Sequence, residues 1–337
     1  MLKVGISGIG FMGMIHYLAY QNVPNVKVVA FCEKIPERLA GDWTSIKGNF
    51  GPRGTMMDMS PFATYSELDD LIADENVDMI DLCLPPNQHA PAAIKCLEGG
   101  KHVFCEKPIS LVAADGAAMV AAAAKAGKQL NIGHVLPFFT AYKYILDAQA
   151  DGRWGKVLGG NFTRVISDPN WLPHYYDMGI CGGPMLDLHI HDAHFIRVMF
   201  GKPTAVEGLG RCRGDVPEYF TVQYTFGDPD LVVSSTSGVI KQQGRPFMAG
   251  FEVHFEKATV CCNNMPMTVY HEDGSVEVPD LPDTGDTGPF TAELTEATSA
   301  IMEGRKSAIL GGELAADALE ICHKEIESIL TKQRMYL

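Results

Sequence analysis

The sequence predicts an α/β chain in two parts: a parallel sheet covered by helices on both faces, then an α+β part built on an open-faced, mainly antiparallel sheet. Three observations carry this. Short apolar, β-branched runs alternate with helical patterns as far as Gly133, the rhythm of parallel strands joined by crossover helices. Beyond Ala205, strand-like runs follow one another with only Gly, Pro and Asp between them, the rhythm of antiparallel strands. The length of 337 residues also exceeds what one ordinary core accommodates. The parts are expected at 1–133 and 134–337, with the two terminal helices able to pack back on the first.

The elements follow in order. Residues 3–7 read as a buried strand, 11–21 as a helix and 26–31 as a second strand. Residues 41–62, rich in Gly, Pro, Asp and Met, read as a long, loosely structured loop. Ser66 is expected to cap a helix over 66–73. A strand over 78–84 stops at Pro85-Pro86, and a helix over 89–97 stops at Gly99-Gly100. A strand over 102–105, an Ala-rich helix over 113–126 and a strand over 130–133 complete the first part. In the second, a helix over 141–149, a strand over 157–167 and a helix over 184–200 precede the run of strands. Helices near 291–302 and 313–330 close the chain.

Composition narrows the partners. Hydrophobic residues make up 46% and charged residues 20%, as in ordinary globular proteins, and the formal net charge is −14. A phosphate backbone needs a cationic face, so a nucleic acid or an anionic membrane is not expected as a partner. No apolar run approaches the ~20 residues of a membrane span. No signal peptide precedes the first strand, and nine cysteines without a C-x-x-C pair read as reduced thiols. Together these predict a cytoplasmic chain.

Gly8-Ile9-Gly10-Phe11-Met12-Gly13 lies between the first strand and helix, the context a dinucleotide fingerprint requires. Gly8 allows the tight turn, Gly10 lets backbone approach a pyrophosphate, and Gly13 lets helix and strand pack closely. The helix N-terminus, at Phe11 and Met12, offers N–H groups to the anion. Glu33, twenty residues beyond Gly13, can bind ribose hydroxyls and repels a 2′-phosphate, so NAD is expected over NADP. Lys34 and Arg38 stand close enough to blunt that repulsion.

Two further motifs carry proton chemistry. Lys107, in Glu106-Lys107-Pro108, follows a strand where ligands of such sheets sit, and can share a proton with a substrate hydroxyl. A surface salt bridge to Glu106 is the alternative. Further on, Gly182-Gly183-Pro184 opens a helix that places Asp187 and His191 one turn apart on one face. The carboxylate can orient the imidazole, which titrates near neutrality and can accept a proton. His194 is near, His189 is rotated away, and Asp192 is expected to turn toward solvent or a loop. For each histidine a hydrogen-bonded structural role remains open. Asp187, His191 and His194, with His174 and His189 in reserve, could hold zinc, but the spacing matches no closed zinc signature and no metal is expected.

On these residues the chain resembles the Gfo/Idh/MocA family of nicotinamide-dependent oxidoreductases. The resemblance covers essentially the full length: Gly8, Gly10, Gly13 and Glu33, then Leu84-Pro85-Pro86-Asn87-Gln88-His89, then Glu106-Lys107-Pro108, then Gly182-Gly183-Pro184 with Asp187 and His191. It implies an N-terminal Rossmann domain and a C-terminal domain whose sheet often forms an oligomer interface, hence a homo-oligomer, dimer or tetramer. Lys107 would be the catalytic, cofactor-positioning lysine, His191 the proton acceptor and Asp187 its neighbour. Pro85, Asn87, His89 and Glu106 would lie with the cofactor. The chain departs from the family where a basic residue often follows the last strand of the nucleotide domain; Gly133-His134-Val135 stands there. His194 replaces an acidic residue. Residues 168–176 offer aromatic faces suited to a sugar ring, which makes His134, Trp171, His174, Tyr176 and His194 the substrate candidates.

The expected activity is NAD-dependent oxidation of a secondary hydroxyl of a sugar, sugar acid or cyclitol. Two alternatives stand beside it. One is an enzyme that recycles tightly held NAD to cleave a glycosidic bond without net redox change. The other is a non-catalytic nucleotide sensor.

Overall fold

Six parallel strands form the first sheet of the computed structural model, which describes residues 1–263 and 266–337. In chain order the elements are β1 (Leu2–Ser7), α1 (Phe11–Tyr20), β2 (Val26–Cys32), α2 (Pro36–Leu39), β3 (Ala63–Tyr65), α3 (Leu68–Ala73), β4 (Met79–Leu82), α4 (His89–Glu98), β5 (His102–Glu106), α5 (Ala113–Ala126) and β6 (Leu130–Gly133). The strand order is β3-β2-β1-β4-β5-β6. The chain direction across the sheet therefore reverses between β1 and β4, the switch point where such sheets bind ligands. This unit comprises Met1–Phe138 with Thr284–Ala316. It includes α8 (Gly288–Glu303), whose Phe290, Leu294 and Ala297 join Ile15, Ala19 and Phe104 in one core.

Local chemistry explains most of these boundaries. α5 is an alanine-rich run, and Gly127, at φ +62°, closes it in a left-handed cap that a side chain would disfavour. Two expectations for this unit need correction. The 41–62 segment contains no helix and one isolated bridge, Asp42 to Met56, but it is not loose. Its Trp43 is 1% exposed and meets Tyr17 and Phe31 edge-on, so scattered apolar side chains tie an irregular backbone to the core. Ser66 does not cap α3, which begins at Leu68 after an extended Glu67 with no side-chain cap. α2 and β3 are too short to show a period.

The second unit comprises Phe139–Asp283 with Asp317–Leu337. It contains α6 (Thr140–Asp151), β7 (Val157–Ser167), a π-helical turn at Pro184–His189, α7 (Ile190–Phe200), β8 (Ala205–Arg213), β9 (Val216–Thr225), β10 (Val232–Ile240), β11 (Met248–Phe255), β12 (Ala258–Asn263), β13 (Thr268–His271) and β14 (Val276–Glu277). α9 (Gly312–Thr331) contributes its larger part, and β15 (Met335–Tyr336) ends the chain. Among the described residues the sheet has nine strands, ordered β14-β13-β12-β11-β7-β10-β9-β8-β15. All recorded pairs are antiparallel except β7 with β10. Alternating burial along β9 shows one covered face and one open face. On the open face lie Leu209 and Val232, 68% and 73% exposed. Among the described residues no helix is long and apolar enough to cross a membrane.

Candidate active site

The glycine turn links β1 to α1, and its three glycines stand in three different steric settings. Gly8 has φ +96°, and a Cβ on it would fall 2.4 Å from the Cys83 carbonyl oxygen. A Cβ on Gly13 would fall 2.0 Å from the Gly8 carbonyl oxygen. A Cβ on Gly10 would meet nothing within 4 Å. Gly10 is also the N-cap of α1, with no side chain capping it and no acidic residue in the first turn. Free N–H groups at Phe11, Met12 and Gly13 therefore border open space, as a bound pyrophosphate requires. The Phe11 ring packs edge-on against Phe50, 4.8 Å between centroids, so this residue contributes backbone rather than side chain.

Glu33, just beyond β2, is fixed beside this turn. Its carboxylate accepts hydrogen bonds from the N–H groups of Ile9 (2.7 Å), Lys34 (2.7 Å) and Ile35 (3.1 Å). Arg38 lies 3.7 Å from it, while Lys34 pairs with Glu67. Three backbone donors leave lone pairs for a ribose diol without letting the side chain wander. These residues fit a dinucleotide.

Beyond β4, Pro85 leads into a 3₁₀ turn at Pro86–Gln88, with Pro85 and Asn87 exposed and Pro86 half-buried. His89 is fully buried. Its Nδ1 lies 2.7 Å from the Pro108 carbonyl oxygen and its Nε2 2.8 Å from that of Leu84. The ring is spent on joining two turns, a role its position in the motif does not reveal. Lys107–Pro108 is a cis peptide. Lys107 is half-buried and Glu106 is 8% exposed. One oxygen of Glu106 accepts the Lys107 backbone N–H at 3.1 Å. The other lies 3.0 Å from Nε2 of His16, whose Nδ1 lies 2.9 Å from Asp81. Burial works against the Glu106 charge, but the His16 contact and Lys107 outweigh it and lower its pKa.

In the second unit the Gly182-Gly183-Pro184 opening behaves as expected in one respect. Gly183 has φ +63°, and a Cβ there would meet Val216 at 2.8 Å. The helix it opens starts differently: Pro184–His189 is π-helical, and the α-helix begins only at Ile190. A π-turn is wider than an α-turn, so Asp187 and His191 are not one regular α-turn apart. From Gly182 to Ile196 they are nevertheless the two residues that are not buried. Asp187 also approaches the buried phenol of Tyr175, whose pKa is raised well above its ordinary value by burial first and Asp187 second. The neighbouring Tyr176 drew attention in the sequence; Tyr175 did not, because burial cannot be read from an isolated aromatic pair.

Asp192 requires correction. It is buried and bonded twice to Arg164, at 2.6 and 3.1 Å, rather than turned to solvent. A 28-residue separation hides that pairing. His189 is indeed rotated away, into the interior, against Ser237 (2.8 Å) and Glu325 (3.0 Å). Burial disfavours its charge, yet Glu325 raises its pKa.

The substrate candidates separate into three groups. His134 and His194 are buried, 1% and 0% exposed. Trp171, 66% exposed, and His174 lie at the surface. Tyr176 donates its hydroxyl to Asp168 at 3.1 Å, and its ring lies under the Arg213 guanidinium at 3.8 Å. Arg213 also bonds Asp168 and Glu218 at 2.5 Å. This Asp168–Arg213–Glu218 group was not legible in advance, since β8 and β9 bring it together. Among the described residues, the set whose possible metal-ligand atoms lie within 4.8 Å of one another is His16, Asp81 and Cys83, not the Asp187 group.

Comparison with known proteins places both halves of the chain. Residues 2–134 match the family described as oxidoreductase, NAD-binding Rossmann fold, and residues 142–261 match the GFO/IDH/MocA C-terminal domain. The chain is 30% identical over 202 residues to myo-inositol 2-dehydrogenase of Thermotoga maritima, covering 60% of this chain and 55% of that protein. It is 31% identical over 263 residues to inositol 2-dehydrogenase of Salmonella paratyphi B, covering 75% and 70%. The fold resembles that of levoglucosan dehydrogenase solved with NADH and levoglucosan, with TM-score 0.83 and 20% identity over 99% of each chain. Two family domains matched in order over most of its length establish that this chain belongs to the Gfo/Idh/MocA family of oxidoreductases.

Proposed function

We propose that the chain is an NAD-dependent dehydrogenase that oxidises a secondary hydroxyl of a sugar, sugar acid or cyclitol in the cytoplasm. The observation that carries this reading is the accessibility of Asp187 and His191 within an otherwise buried helical segment. A carboxylate and an imidazole kept at the surface of a packed helix suit proton transfer better than packing. The relatives named as inositol dehydrogenases favour a polyhydroxylated substrate.

Gly10 and the free N–H groups at the start of α1 would hold the pyrophosphate, and Glu33 the ribose hydroxyls. When bound, NAD supplies the acceptor for the hydride that leaves the carbinol carbon. Lys107 would hydrogen-bond the reacting oxygen, and His191, oriented by Asp187, would take its proton. Glu33 disfavours a 2′-phosphate, and Arg38 at 3.7 Å is the residue that could offset it.

The test is NADH formation by the purified protein across a panel of sugars, sugar acids and inositols, with Lys107→Ala as control. Activity lost in the variant supports the reading. Near-normal turnover in Lys107→Ala removes the assigned role. NAD binding without NADH release from any substrate moves the balance to a recycling enzyme.

A further inference from the structure

We propose that His16 is a positioning residue for Lys107, acting through Glu106, so that α1 serves the catalytic lysine as well as the nucleotide. This rests on the dehydrogenase reading only in calling Lys107 catalytic; the geometry is independent of it.

His16 lies in α1, three residues past Gly13, with its side chain in the core. Its ring is 0% exposed and sits between Phe104 and Phe290, with centroids 5.6 and 6.2 Å away. Both ring nitrogens face carboxylates, Nδ1 that of Asp81 at 2.9 Å and Nε2 that of Glu106 at 3.0 Å. Glu106 in turn holds the Lys107 N–H with its other oxygen at 3.1 Å. The chain of contacts is thus Asp81, His16, Glu106, Lys107, its middle step a charge contact of 3.0 Å rather than an aligned hydrogen bond. Gly133 leaves room for it: a Cβ there would come within 3.2 Å of the Glu106 oxygen that faces His16.

The charges support the geometry. Burial opposes protonation of His16, but Cys83 and Asp81 outweigh it and hold the pKa well above the ordinary value. Asp81 also hydrogen-bonds the ring, and the Cys83 sulfur, its own pKa pushed up by burial, lies 3.3 Å from Nδ1. Glu293, from α8, is the remaining acidic group facing the cluster. It is fully buried, neither oxygen has a hydrogen-bond partner, and burial first and Glu106 second keep it protonated. Tyr20 also faces Asp81.

Two plainer readings are available. His16, Asp81 and Cys83 could bind a metal, but that reading gives the approach of Nε2 to Glu106 no role. The cluster could also serve stability alone. Buried ions are poor at that, because desolvation offsets most of their attraction and apolar residues of similar size do as well. What apolar residues cannot do is fix the direction of Glu106.

The test separates the two ring nitrogens. Asparagine reproduces the reach of Nδ1 and glutamine that of Nε2. His16→Asn therefore keeps a donor for Asp81 and releases Glu106, whereas His16→Gln keeps the donor for Glu106. Turnover on the best substrate of the panel should fall about tenfold or more in His16→Asn, mostly in kcat, and far less in His16→Gln. Independently of any substrate, reductive ¹³C-methylation of lysines, with the Lys107 signal assigned from Lys107→Arg, should show that resonance displaced in His16→Asn and near its wild-type position in His16→Gln. Gly133→Ala, which presses on Glu106 from the other side, should displace it as well and serves if the histidine variants do not fold. Equal losses in both histidine variants, or an unmoved Lys107 signal in His16→Asn and Gly133→Ala, would overturn the proposal. A displaced signal with a wild-type protein silent on every substrate would leave the positioning role standing and remove the dehydrogenase reading instead.

Discussion

His89 reaches across two turns: its Nδ1 stands 2.7 Å from the carbonyl oxygen of Pro108, and the opposite nitrogen 2.8 Å from that of Leu84. The first oxygen belongs to the turn that carries Lys107, the second to the turn after β4. Burial, the larger influence, holds the ring's pKa below its ordinary value against the pull of the two carbonyls. A neutral ring has one N–H, so only one of the two contacts is a hydrogen bond at any moment. His89→Phe fills the same space and removes the one N–H that the two carbonyls share. It should destabilise the chain by about 1–3 kcal/mol in urea unfolding. An unchanged midpoint would mean that neither contact matters to stability.

The glycines of the first turn should separate under substitution. Gly10→Ala adds a methyl into open space at an ordinary φ of −91°. It should leave stability within about 0.5 kcal/mol yet weaken NADH binding, read by fluorescence titration, because the methyl occupies the pyrophosphate's place. Gly13→Ala places its methyl 2.0 Å from a backbone oxygen. It should lower stability by roughly the 1–3 kcal/mol typical of overpacking or more, seen as a lower melting temperature. Equal binding losses without any difference in stability would contradict this division.

Glu293 gives a pH-dependent prediction whose sign follows from its raised pKa. The folded chain keeps this proton at pH values where an unfolded glutamate, with an ordinary pKa of 4.5, has released it. Stability from this group is therefore full below that value and declines as pH rises toward the folded pKa. Glu293→Gln removes the titration while retaining the neutral shape. The variant should melt higher than wild type at pH 7.5, with the gap closing near pH 4. A variant that melts lower at both pH values would show that the carboxyl is ionised and paired.

Proton handling predicts a large effect from a small change. His191→Ala should lower kcat by about 10²–10⁴, the usual contribution of a general base, with NADH affinity retained. Asp187→Asn should lower it less, since the imidazole stays and loses only its orienting charge. Stopped-flow measurement of NADH formation separates the two. A His191→Ala variant with wild-type kcat would remove the assignment.

The open sheet face predicts assembly. Leu209 and Val232 are large, apolar and exposed. Register places Leu209 opposite Thr221 and Thr221 opposite Thr236, with Val232 on the same face of β10. If two copies cover that face, Leu209→Lys with Val232→Lys should shift the mass in light scattering to that of one chain. A wild-type protein already monomeric at micromolar concentration would remove the idea.

Much of this protein was legible from residue order alone because its signals are local. α5, β6 and β7 fall on the residues where alanine content or β-branching predicts them. The glycine turn was readable because two of its glycines answer to local backbone, Gly8 at φ +96° and Gly13 against the Gly8 carbonyl. Three motifs in order also identified the family. Tertiary structure decided the partners, since a charge's neighbour is chosen by folding rather than by spacing: Arg164 for Asp192, Glu106 for His16, Arg213 for Asp168. It also decided which of several similar histidines faces outward. Helical periodicity assumes one residue spacing, and a π-turn at Pro184–His189 changes that spacing without any mark in the local sequence.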